Sequence, residues 1–94
     1  MNKDWHLYIL RCGNGDLYTG ITTDVDNRFE QHQQGKGAKR TKGRGPLSLE
    51  FQTCVGEKGP ALQLEHRIKQ LTREQKEDLI SGNIAIECLI TDND

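Results

Sequence analysis

A chain of 94 residues has room for one hydrophobic core and no second domain, so residues 1–94 read as a single unit. Thirteen Lys and Arg against fourteen Asp and Glu leave a formal charge of −1, which argues against a generally sticky nucleic-acid binder. No stretch is long and apolar enough to span a bilayer, Met1-Asn2-Lys3-Asp4 is no signal peptide, and Cys12, Cys54 and Cys88 lack CxxC spacing; the expectation is a cytoplasmic protein without a zinc knuckle, its cysteines serving as small packing residues.

The runs Trp5 to Arg11 and Leu17 to Thr22 are rich in β-branched and aromatic residues, and Gly13-Asn14-Gly15-Asp16 between them supplies the positions of a tight turn. They predict one β-hairpin. A turn centred near Asn14 puts Tyr8, Leu10, Tyr18 and Gly20 on the same side, with Gly20 leaving open space opposite Tyr8. Each tyrosine alone is an ordinary half-buried strand aromatic; two side by side are a candidate site.

Thr22-Thr23-Asp24 caps a helix from about Val25 to Gln34. Val25 and Phe29 should bury, while Arg28 and His32, four apart, form a cationic ridge suited to phosphate oxygens. Read alone, His32 is a surface residue. From Gly35 to Gly45 follow five basic residues, Lys36, Lys39, Arg40, Lys42 and Arg44, and no acidic ones, whereas Glu87, Asp92 and Asp94 close the chain. A glycine-rich basic loop of this kind can follow a phosphate backbone, and because it directly follows the Arg28/His32 helix this reading stands ahead of a merely solvated segment.

Leu47 to Val55 alternates Leu47, Leu49 and Phe51 against Ser48, Glu50 and Gln52, which predicts a third strand with one covered face. Gly59-Pro60 then predicts a helix with proline at its first position, its buried stripe formed by Ala61, Leu64, Ile68 and Leu71. Glu65 falls within that stripe. A carboxylate there needs a cation, a metal ion or strong donors, and a structural ion pair with an arginine satisfies it as well as a functional partner does. Thr72-x-x-Gln75 has the capping-box form and opens a last helix that runs to about Ile80 and is ended by Gly82. Ile84 to Ile90 alternates as a short edge strand or an ordered tail, and an unpaired apolar edge there is a possible dimer contact. The order β-β-α-β-α-α gives an α+β fold, a small three-stranded antiparallel sheet flanked by helices.

A tyrosine hairpin, an arginine helix and a helix with a buried-side glutamate, in this order and at these intervals, resemble the GIY-YIG endonuclease superfamily. Leu7-Tyr8 stands at the GIY position and Tyr18-Thr19-Gly20 at the YIG position. Arg28 falls at the helix arginine and Glu65 at the metal-binding glutamate. The likeness covers nearly the whole chain and is closest to the small stand-alone bacterial branch of the YhbQ type, through Leu17 to Thr22, Gln31 to Ala38 and Ile68 to Thr72. His6 replaces the first glycine of GIY, Thr19 the isoleucine of YIG, and Arg40 stands where many relatives carry an aromatic.

The resemblance implies a metal-dependent endonuclease acting on DNA, in repair or processing. Phosphodiester hydrolysis demands a base, a cation and a metal ion or acid. By resemblance Tyr8 or Tyr18 is the base, Arg28 braces the phosphate, and Glu65 holds one Mg²⁺ or Mn²⁺. His32 positions the water or contacts a phosphate, and Lys36 and Lys69 contact the backbone. With no accessory domain, the chain is expected as a monomer or weak homodimer that turns over slowly or takes its specificity from a partner protein. The alternative keeps the fold and drops the chemistry, leaving a non-cutting module that recognises DNA structure or damage.

Overall fold

The computed structural model describes residues 3–36 and 46–86. The chain runs β1 (Trp5–Arg11), β2 (Leu17–Thr22), α1 (Val25–Gln33), β3 (Ser48–Gly56), α2 (Lys58–Lys69) and α3 (Arg73–Ser81). The three strands form one antiparallel sheet in the order β2-β1-β3, so the α+β architecture expected from the sequence is present.

The hairpin register pairs Tyr8 with Gly20 and Leu10 with Tyr18, which sets all four on one face as expected. The turn closes through Cys12 N–H to the Asp16 carbonyl at 2.8 Å and Gly15 N–H to the Cys12 carbonyl at 2.9 Å. Gly15 takes a φ of +95°, a conformation that a residue with a Cβ rarely adopts.

Side-chain alternation divides the core between the two faces of the central strand. Leu7 and Ile9 meet Leu64 and Ile68 of α2 and Leu79 of α3 on one face. Tyr8, Leu10 and Cys12 meet Val25 and Phe29 of α1 on the other.

Strand β3 serves both layers, which corrects the expectation of one covered face. Leu10 pairs with Leu49 but Ile9 pairs with Phe51, so Glu50 is an extra, bulged residue. The bulge reverses the alternation. Leu47 and Leu49 join the α1 layer, while Phe51 and Val55 join the α2–α3 layer.

Helix boundaries follow local chemistry. The Asp24 carboxylate accepts from Asn27 N–H at 3.1 Å and caps α1, while Thr22 Oγ1 accepts from Asp24 N–H, also at 3.1 Å. Pro60 is the third residue of α2 rather than the first. The position is tolerated because the opening N–H groups of a helix have no intrahelical acceptor, and the ladder starts only at Ala61 N–H to the Glu57 carbonyl. Thr72 and Gln75 form the reciprocal capping box of α3, and Gly82 ends that helix at a φ of +88°.

Leu71, expected within α2, lies in the link to α3 but still packs on the core. Residues 84–86 form no strand, Ile86 packs against the α2–α3 layer, and 87–90 lie outside the described residues. Cys12 is a buried packing residue, as expected. Cys54 is exposed, with its Sγ 3.7 Å from Asp4 Oδ2, so a packing role is wrong for it; Cys88 is not among the described residues. Among the described residues no helix is long and apolar enough to cross a membrane.

Candidate active site

Alternation on β1 and β2 brings the two tyrosine rings together with centroids 6.3 Å apart. The third member is His32, whose ring lies 5.9 Å from Tyr8 and 5.3 Å from Tyr18. Its Nε2 stands 3.0 Å from the Tyr8 hydroxyl. His32 is only 1 % exposed, which corrects its reading as a surface residue. The reason is spacing: Val25, Phe29 and His32 recur at i, i+4 and i+7, so His32 belongs to the buried stripe of α1. The stripe is apolar at its first two positions and polar at its third, because a phenol waits there to hydrogen-bond the ring.

Gly20 is what lets Tyr8 lie down across β2. A Cβ on Gly20 would stand 2.5 Å from the Tyr8 Oη and 2.7 Å from its Cζ. The space foreseen opposite Tyr8 is therefore filled by Tyr8 itself.

The two phenols differ in environment. Tyr8 is 2 % exposed, and its phenol is pushed up to about 12, first by burial and further by the nearby Tyr18 and Glu65, with the Arg28 guanidinium pulling partly back. Tyr18 is half-buried. Burial lowers the His32 pKa below its ordinary value and the positive charge of Arg28 lowers it further. A neutral imidazole is thereby favoured, and it can accept the Tyr8 proton at Nε2.

Arg28, on the partly exposed side of α1, is oriented by Gln31, whose Oε1 accepts from its Nη1 at 3.0 Å. Gln31 opens the run Gln31 to Ala38 that carries part of the family likeness, but no role for it was expected. Its i, i+3 spacing from Arg28 on a helix was the available signal.

Glu65 comes from α2, which packs on the opposite face of the sheet from α1. Its side chain is 18 % exposed and pairs with Lys69 at 3.2 Å. The expected cation is present, and it is a lysine one turn along rather than an arginine. Lys69 also lines a hollow with Tyr18 and Thr19, so this side of α2 looks onto the β2 edge beside the phenols.

Among the described residues no three His, Cys, Asp or Glu side chains gather as a metal cage. One partly exposed carboxylate fits a hydrated divalent ion, which binds through a single carboxylate and takes its other oxygens from water and substrate. Lys36 is exposed beyond the end of α1. The remaining predicted backbone contacts, Lys39, Arg40, Lys42 and Arg44, lie outside the described residues.

A compact sheet whose hairpin holds two adjacent, tilted phenols, beside a histidine and an arginine from the next helix, defines a GIY-YIG-like module. Comparison with known proteins agrees. The family model for the GIY-YIG catalytic domain matches residues 4–78, and the chain belongs to that family, which is one of endonucleases. It is similar to a UPF0213 protein of Cronobacter sakazakii, 53 % identical over 87 residues that cover 93 % of this chain and 92 % of the relative. It is likewise similar to the UPF0213 protein YhbQ of Salmonella paratyphi B, at 52 % identity over 93 % of this chain and 87 % of that protein. Two solution NMR structures share the fold. The UPF0213 protein BH0048 of Bacillus halodurans is 46 % identical with a TM-score of 0.55, over 83 % of each chain. The protein EF2693 from E. faecalis is 31 % identical with a TM-score of 0.61, over 87 % of this chain and 88 % of that one.

Proposed function

We propose that this chain is a metal-dependent endonuclease that hydrolyses DNA phosphodiester bonds, in repair or processing of DNA, with Tyr18 as its general base. The observation that carries this reading is the Tyr8–Tyr18–His32 triangle of rings beside Arg28 in a GIY-YIG domain. Tyr18 is preferred because the other phenol is buried, committed to His32 and held protonated. Tyr8 and His32 then act as positioning residues that fix the Tyr18 ring from behind.

In this mechanism Tyr18 takes a proton from the attacking water, and Arg28, steadied by Gln31, meets the charge that builds on the non-bridging oxygens. Glu65 would hold Mg²⁺ or Mn²⁺, which supplies Lewis-acid stabilisation of the departing oxygen. For that, Lys69 must release the carboxylate, and as a half-exposed side chain it is free to swing.

A second reading, the non-cutting module, draws on the same ion pair: a carboxylate already neutralised by its own lysine does not require a metal ion. The test is incubation of the purified chain with single-stranded, nicked, flapped and branched DNA in Mg²⁺ or Mn²⁺. The expected result is cleavage of at least one form and a loss on the order of a hundredfold in Glu65→Gln. Cleavage of none, with binding that survives both Glu65→Gln and chelation, replaces the nuclease with the binder.

A further inference from the structure

Among the described residues β2 is an outer strand, so one of its edges meets no other strand and faces the end of α2 and the start of α3. A furrow runs along this edge. Its inner part is lined by Leu17, Tyr18 and Thr19 of the strand and by Lys69 and Lys76 of the helices. It continues past Leu17 and Lys76 to Arg73 and Asp16 at the hairpin turn. The charged side chains of the inner part are both cationic. Among the described residues the buried Thr19 hydroxyl has no hydrogen-bond partner, although buried polar groups are ordinarily satisfied.

We infer that this furrow is a phosphate subsite, which takes the nucleic-acid backbone next to the phosphate at Tyr18. Lys76 and Lys69 supply the charge and Thr19 a hydroxyl donor. The inference rests on the proposed site for its neighbour, but not on the chemistry there. Flexible ammonium groups along an open strand edge suit backbone phosphates, which position a strand without reading its sequence. Lys69 gives the subsite a second consequence: drawn toward a phosphate, it leaves the Glu65 carboxylate it otherwise neutralises.

The test measures binding of the whole chain to a labelled single-stranded DNA oligonucleotide by fluorescence anisotropy across a salt series, with no divalent ion present. Lys76→Gln should weaken binding and reduce the salt slope by about 0.7, the share of one phosphate contact on a single strand. Lys76→Arg should restore both. Lys58→Gln, which alters a lysine stacked on Trp5 at 5.2 Å, should change neither. Amide resonances of Leu17, Tyr18 and Thr19 should shift as the oligonucleotide is added. A wild-type slope in Lys76→Gln, an equal loss in Lys58→Gln, or unmoved β2 amides would overturn the subsite. No product is read, so a chain that binds through the furrow yet never cuts ends the proposed chemistry alone; one that cuts with an unchanged Lys76→Gln slope ends the subsite alone.

Discussion

At the scale of single residues, the site is organised by an absence of atoms at Gly20. The Tyr8 ring fills the place of a side chain, so Gly20→Ala forces a clash with ring and hydroxyl together. The expected loss is about 1–3 kcal/mol, the range for overpacked cores, read by urea denaturation. Trimming the ring should relieve it: Gly20→Ala combined with Tyr8→Leu should destabilise by less than the two single changes added. Strict additivity would show that Tyr8 does not occupy that space. Tyr8→Phe tests a different contact, because it removes the hydroxyl that pairs with the buried His32 Nε2. Its cost should be about 1–2 kcal/mol in the same assay, and an unchanged midpoint would mean that the hydrogen bond contributes nothing.

Elements were legible in the sequence where local chemistry decides them. Both hairpin strands, their register, the Asp24 cap and the Thr72–Gln75 box follow from short-range patterns and are present as read. Strand β3 was legible as a strand but not in its facing, since a bulge arises from pairing with β1 and leaves the one-dimensional alternation intact. The candidate site divides the same way. Tyr8 with Tyr18 could be foreseen from strand alternation, whereas the polar partner that lets His32 be buried is a phenol 24 residues away, and Glu65's partner depends on which long side chain reaches it first.

The bulge itself yields a prediction at this scale. Removing Glu50 leaves Leu49 opposite Leu10 and Phe51 opposite Ile9 with no extra residue between them, so every apolar residue keeps its face. Deleting Glu50 should preserve a cooperative thermal transition. Deleting Gln52, beyond the bulge, should abolish it, because the residues on one side of the gap must then change faces. Circular dichroism melts of the two deletions decide, and equal tolerance would contradict the pairing.

For the whole molecule, stability should fall toward both ends of the pH scale. Burial holds the folded-state pKa of His32 below its ordinary value, so its stabilising share is present above about pH 6.5 and is lost as protons are taken up below that. The Glu77 carboxyl is held down by Arg11, then by Arg73, and extends the acid limb further. Tyr8 has the opposite sign. Its folded-state pKa near 12 stands above the unfolded value of about 10, so the folded chain keeps a proton that the unfolded chain gives up, and stability declines as the pH rises past 10. Chemical denaturation across pH should show the alkaline decline in the parent chain and a shallower one in Tyr8→Phe; identical alkaline limbs would refute the assignment.

The clasp on the hairpin has a consequence for how the chain is made. Arg73 Nη2 donates to the Gly15 carbonyl at 2.6 Å, and Arg11 grips Glu77 through two bonds of 2.8 and 2.6 Å, contacts that reach across 58 and 66 residues. During synthesis the segment bearing both tyrosines emerges well before the arginine and glutamate that fasten it. Nascent chains halted before Thr72 should therefore carry an unfastened hairpin that proteases cut readily, with protection arriving only once α3 clears the ribosome.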